Sequence, residues 1–280
     1  MTTITLEPAE LSEKQFQTIS GLVKDLCGIN LHEGKRELVK ARLTKRLREL
    51  QMSNYAQYVD FIATDQGQPE LLSMLDALST NLTSFFRESA HFDLLRGKVL
   101  PEILRTRTQD RRIRIWSAGC SSGEEPYSIA IVLRETLGSL GGWDAKVLAT
   151  DLSRRVLETA RRGVYGKDRL RQVPSRMVSE HFRSAGADAP DKYEVHDSLR
   201  QMVTFARLNL MDPWPMRGPF DAIFCRNVMI YFDKPTQNRL VDRFWDLLGS
   251  GGLLFLGHSE SLTGVRHRFK YVQTTVYGKP

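Results

Sequence analysis

Apolar residues recur at helical spacing through the first eighty positions. Phe16, Ile19, Val23 and Leu26 line one face of a helix that Ser12 and Gln15 open as a capping box and Gly28 closes. A second helix is predicted over about 35–50, with Val39, Leu43, Leu47 and Leu50 on one face and basic residues on the others. Tyr55, Val59 and Ile62 mark a third; Leu71, Leu72, Leu75 and Leu78 mark a fourth, with Pro69 in its first turn. From about residue 111 the period changes. Strands are predicted at 112–116, 146–151, 205–210, 220–225 and 253–257, with helices at 126–137 and 236–248 and Ser153 as the cap of another. Strands alternating with helices predict an α/β fold with a parallel, doubly wound sheet. The tail, 269–277, reads as an antiparallel edge. Residues 184–204 break the alternation: a polar loop at 184–191 precedes Tyr193–Val195 and Met202–Phe205, which are expected to pair as a hairpin inserted in the α/β domain. The expected division is a helical domain over 1–80, a linker over 81–110 and an α/β domain over 111–280.

Composition narrows the class. The 280 residues are 41% hydrophobic and 26% charged, which excludes disorder, collagen and coiled coil as whole-chain descriptions. No apolar run approaches the roughly 20 residues of a membrane helix, and residues 1–15 show no basic-then-apolar export leader. Cys27, Cys120 and Cys225 are too scattered for a disulfide framework or a metal knuckle. A cytoplasmic protein without membrane insertion is expected, and a monomer. The net charge of +7 is concentrated in two patches of +6 each, at 35–48 and 154–183. Such patches suit an anionic partner.

The chemistry gathers at the strand ends, where open α/β sheets bind ligands. The first strand runs into Gly119-Cys-Ser-Ser-Gly123-Glu124-Glu125-Pro126. Two glycines allow a tight turn against a ligand. The two carboxylates repel a pyrophosphate and suit an ammonium or a sulfonium. Asp151 ends the second strand where an acidic residue holds a ribose diol in nucleotide-binding units. An adenosyl group at Asp151 with a cation near Glu125 describes S-adenosylmethionine. Arg226 and Asn227 end a buried strand at the same rim, with Tyr231 four residues beyond Asn227.

Five segments resemble those of the bacterial chemotaxis receptor glutamate methyltransferases, the CheR family: Asn81–Arg87, Trp116–Ser128, Ala149–Asp151, Phe220–Phe232 and Gly257–Glu260. The GEEPYS and FCRNVMIYF stretches are the most specific. The resemblance implies a helical N-terminal domain, a class I (Rossmann-like) methyltransferase sheet and an inserted antiparallel β-subdomain. It places cofactor contacts at Asn81, Thr83, Arg87, Glu125, Asp151, Asn209, Leu210, Arg226 and Asn227, to which the loop glycine Gly119 is added. It also implies a methyl-accepting chemotaxis receptor as partner and esterification of its glutamate side chains as the reaction.

That reaction needs neither a general base nor a metal, because a glutamate with a pKa of about 4.3 is already a carboxylate. Arg87 and Tyr231 are expected to hold the incoming carboxylate, with Arg226 in support. His258 is read as a structural histidine and Cys120 as a quiet loop residue. The basic helix at 35–48 is expected to dock an acidic receptor surface. Two other classes remain open on sequence: a nucleic-acid methyltransferase, against which the basic runs lack interleaved aromatics, and a non-catalytic cofactor sensor.

Overall fold

The computed structural model describes residues 10–138 and 142–280, so the reading of residues 1–9 lies outside it. Two units are present. One holds the chain up to Thr80 together with Tyr231–Asp233; the other holds Asn81–Ile230 and Lys234–Pro280. No helix among the described residues is long and apolar enough to cross a membrane.

The helical unit is built from α1 (Glu13–Cys27), α2 (Arg36–Glu49), α3 (Tyr55–Ile62) and α4 (Gln68–Leu78). Both bonds of the Ser12–Gln15 capping box form, and Gly28 closes α1 at φ 76°. Phe16, Ile19, Val23, Val39, Leu43, Tyr58 and Ile62 fill its core. Ile29 makes an antiparallel bridge to Phe232, the Asn30 N–H donates to the Tyr231 carbonyl at 2.8 Å, and Lys24 pairs with Asp233 at 2.9 Å.

Two α2 cations belong to this framework. Arg46 lays its guanidinium on the buried Glu70, at 2.9 and 2.5 Å, where the Tyr58 hydroxyl also donates at 2.8 Å. Arg42 donates to the carbonyls of Leu78 and Ser79 at 2.7 and 2.9 Å and so satisfies the end of α4. Lys45 and Arg48 are the exposed cations of the helix.

The second unit opens on a helical run: α5 (Ala90–Leu94), a π-helical turn at Leu95–Val99 and α6 (Leu100–Thr106). Residues 81–110 are therefore part of this unit, because Phe85, Phe92, Leu95 and Leu100 are buried in its core. The remaining elements are β1 (Arg112–Ala118), α7 (Glu124–Leu137), β2 (Asp144–Asp151), α8 (Arg154–Arg162), β3 (Val164–Gly166), α9 (Ser175–His181), β4 (Phe182–Ser184), β5 (Lys192–Val195), α10 (Asp197–Arg200), β6 (Val203–Arg207), β7 (Phe220–Cys225), α11 (Lys234–Leu247), β8 (Leu248–Leu256), β9 (Lys270–Gln273) and β10 (Val276–Gly278).

Seven strands form the main sheet in the order β6-β2-β1-β7-β8-β10-β9. The first five run parallel, and the tail folds back as the antiparallel strands β10 and β9.

A second sheet, β3-β5-β4, is antiparallel. It begins earlier than 184–204, and its pairing differs from the expected hairpin. Tyr193 faces Tyr165 and Ser184, whereas 203–207 pairs in parallel with β2, Val203 beside Val147. The apolar side chain of Val203 is buried in the core of this unit. Strand β6 also ends before 210, because the Asn209 side chain accepts the Met211 N–H at 3.1 Å and turns the chain.

Candidate cofactor site

After β1 the chain crosses to β2 on one side, and it later returns to β7 on the other. This reversal is the switch point outside whose carboxyl ends doubly wound sheets bind ligands. The turns after β1, β2 and β7 carry the loop glycines, Asp151 and Arg226-Asn227.

The loop after β1 is tight. Gly119 and Cys120 both donate to the Thr150 carbonyl, at 2.8 and 2.9 Å. Gly119 has φ +91°, and a Cβ there would lie 2.4 Å from a Val228 methyl. At Gly123, φ +100°, it would lie 2.7 Å from the Tyr165 hydroxyl. Asp151 is buried, and each oxygen accepts a backbone N–H: Ser121 at 2.8 Å and Ser153 at 2.9 Å. The Leu208 N–H donates to the Asp151 carbonyl at 3.0 Å, which brings Asn209 and the buried Leu210 to the same end of the sheet.

Glu124 and Glu125 separate in role. Glu124 is 0% exposed and bound by Ser122 and Arg169. Glu125 accepts from Ser117 at 2.7 Å and from Arg226 at 3.0 Å. Arg226 is buried beside the Phe92 ring and pairs on its other side with Glu88 at 2.9 Å. It also donates to the Arg87 carbonyl. Burial raises the Glu125 pKa against the pull of Arg226 and Ser117. Burial acts the same way on Glu88, but the His258 N–H and Arg226 more than offset it and the pKa falls. Two carboxylates thus share one guanidinium and leave one negative charge unmatched. A cation fits here; a phosphate does not.

The segment Asn81–Arg87 is fixed through its backbone. Asn81 and Thr83 present carbonyls to Ser121 Oγ at 2.9 Å and Arg169 Nη1 at 3.2 Å, and the Phe86 N–H donates to Ser128 Oγ at 3.0 Å. The Arg87 guanidinium donates to the Leu82 carbonyl at 2.8 Å. Asn227, at φ 59°, is held by Glu260, whose carboxylate also accepts from Gly257 and Ile230. Tyr231 lies in the helical unit, with Lys35 Nζ 5.7 Å from its ring centre.

Sequence reasoning missed Glu88, Arg169 and Glu260 as parts of this framework. Glu88 follows the FFR stretch directly and Glu260 ends the GHSE stretch, so adjacency was their available signal. Cys120 is 1% exposed and burial pushes its thiol well above the ordinary value. His258 contributes its backbone to Glu88 at 3.1 Å.

His91 lies beneath His258, bonded to Thr275 Oγ1 at 2.8 Å, and burial pulls its pKa from 6.5 to about 4. The unfolded chain therefore binds the proton more readily between those values. His91 lowers stability as pH falls from 6.5 toward 4 and has no such effect above 6.5. Urea unfolding should show a smaller drop across that window in His91→Asn than in the wild type, by about 1–3 kcal/mol. Parallel pH profiles would remove this account.

The central β1, the glycine loop after it and the acidic residue ending β2 define a class I S-adenosylmethionine-dependent methyltransferase. The chain belongs to the CheR methyltransferase family: the family's SAM-binding domain matches residues 81–278 and its all-alpha domain residues 14–79. It is 44% identical to chemotaxis protein methyltransferase 2 of Pseudomonas aeruginosa, over 95% of this chain and 93% of that protein. It is 41% identical to the chemotaxis protein methyltransferase of Escherichia coli, over 97% and 92%, and 39% identical to that of Borreliella burgdorferi, over 96% and 95%.

Proposed function

We propose that this methyltransferase esterifies glutamate side chains of chemotaxis receptors. The observation that carries the reading is the buried Glu88–Arg226–Glu125 arrangement, whose unmatched negative charge suits a cationic cofactor. Asp151, Glu125, the Gly119 loop, Asn209-Leu210, Arg226-Asn227 and the Asn81–Arg87 segment are the residues that would hold S-adenosylmethionine. When bound, that cofactor supplies an electrophilic methyl on a sulfonium.

The protein's own contribution is placement and exclusion of water. A glutamate is ionised at neutral pH, so no side chain need remove a proton. Arg87 is the cation of the cofactor segment; its Nη1 donates to the Leu82 carbonyl, and its planar fork suits a carboxylate. A light hold serves better than a tight one, because a tight hold stabilises the ground state as well. The part expected of Tyr231 rests on the family resemblance. Incubation with methyl-labelled S-adenosylmethionine and receptor should place label on receptor, released as methanol by mild base. Label on nucleic acid, or base-stable label, would overturn the reading.

Receptor docking is proposed for α2. Arg42 and Arg46 are engaged within the helical unit, so the cations offered to a partner are Lys45 and Arg48. Reversing both to Glu should raise the KM for receptor several-fold, with the gap narrowing at high salt. Affinity for S-adenosylhomocysteine should stay unchanged. An unaltered receptor KM would remove α2 as the docking face.

A further inference from the structure

We infer that Arg169, in the turn between β3 and α9, is a positioning residue that fixes the cofactor-holding segment Asn81–Arg87. The inference rests on the reading above, in which that segment holds the cofactor. One guanidinium nitrogen, Nη1, donates both to the Thr83 carbonyl at 3.2 Å and to Glu124 Oε1 at 3.0 Å. Glu124 is itself held in place: it is fully buried at the first residue of α7, and its other oxygen takes the Ser122 hydroxyl at 2.6 Å. Arg169 thus ties a loop carbonyl to a fixed anchor beside the glycine turn.

The neighbours of Arg169 reach the same loop. Tyr165 on β3 donates its hydroxyl to the Ser122 carbonyl at 2.7 Å and meets the Phe85 ring edge-on at 5.0 Å. Phe182 on β4 meets Phe85 from another side at 5.4 Å. Phe85 is 0% exposed, so the segment is pinned at its middle by apolar packing and at Thr83 by Arg169. Packing alone leaves the residues before Phe85 to be placed by hydrogen bonds. Asn81 has the Ser121 hydroxyl and Thr83 has Arg169. Without Arg169 the Thr83 carbonyl has lost its guanidinium donor, and each cofactor bound must order that stretch anew. The antiparallel sheet β3-β5-β4 is by this account a support for the cofactor segment.

Removing Arg169 alone also strands the buried Glu124 carboxylate, so stability and positioning must be separated. Arg169→Ala should both lower the melting temperature and weaken S-adenosylhomocysteine binding in calorimetry. Arg169→Ala with Glu124→Gln removes the stranded charge. It should melt near the wild type yet bind about five- to tenfold more weakly, with the KM for S-adenosylmethionine raised and kcat nearly kept. Arg169→Lys should restore stability through the charge but only part of the affinity. Amide exchange at Phe86 should quicken in the double variant. Asn81→Ala tests the underlying reading. If it weakens binding while the double variant binds as the wild type does, Arg169 has no positioning role. If Asn81→Ala, Thr83→Ala and Arg87→Ala all leave binding unchanged, the segment does not hold the cofactor and the inference falls with that reading.

Discussion

Arg226→Ala should be the most damaging single substitution in the site. The guanidinium is 2% exposed and pairs with Glu88 at 2.9 Å and Glu125 at 3.0 Å. Truncation leaves two largely buried carboxylates facing one another with no cation. Removing one partner of a buried pair costs about 3–5 kcal/mol, and here a single partner serves two acids. The variant should lose that much in urea unfolding and show no measurable binding of S-adenosylhomocysteine. Adding Glu88→Gln and Glu125→Gln should recover most of the stability, since the repulsion is gone, and none of the binding. A loss under about 1 kcal/mol in the single variant would mean that water reaches these groups and screens them.

The second large effect is expected at Gly119→Ala. The backbone sits at φ +91° and the new methyl would lie 2.4 Å from a Val228 methyl, on the strand-end turn that also carries Arg226 and Asn227. The loop cannot retreat freely, because Gly119 and Cys120 are both bonded to the Thr150 carbonyl beside Asp151. Stability should fall by about 2 kcal/mol and cofactor affinity by at least about tenfold as the two strand ends shift. Gly21→Ala is the matched comparison: it lies in α1 with nothing within 4 Å of the added carbon. There the same change should be neutral or stabilising by up to about 1 kcal/mol. Equal outcomes at the two positions would show that the Gly119 loop is not constrained.

The α/β alternation, the capping box of α1, Gly28 and the strand at Phe220–Cys225 were legible because each is a local pattern. The small sheet was not. Its strands are three or four residues long, too short for periodicity to show, and the residues that pair lie 9–13 positions apart in one ladder and 26–30 in the other. Residues 81–110 read as a linker for a related reason: Phe85 and Phe92 are buried by the sheet that follows, which no local pattern reports. In the site, charge sign was readable at Glu125 and Asp151. Which acid pairs with which cation was not, because Arg226 meets Glu88 from 138 residues away and Glu125 from 101. The same limit hid the engagement of Arg42 and Arg46. A run of positive charge in a sequence does not say which members are already spent on the protein's own carbonyls and carboxylates.

The short excursion Tyr231–Asp233 bears on how the helical unit comes into being. Its Ile29 bridge and its Lys24 ion pair use residues that lie about 150 positions after Thr80. At roughly 5–20 residues per second, a ribosome delivers them about eight to thirty seconds after the four helices. The nascent helical bundle must persist through that interval without its strand partner. A fragment cut at residue 80 reproduces that waiting state rather than the finished unit.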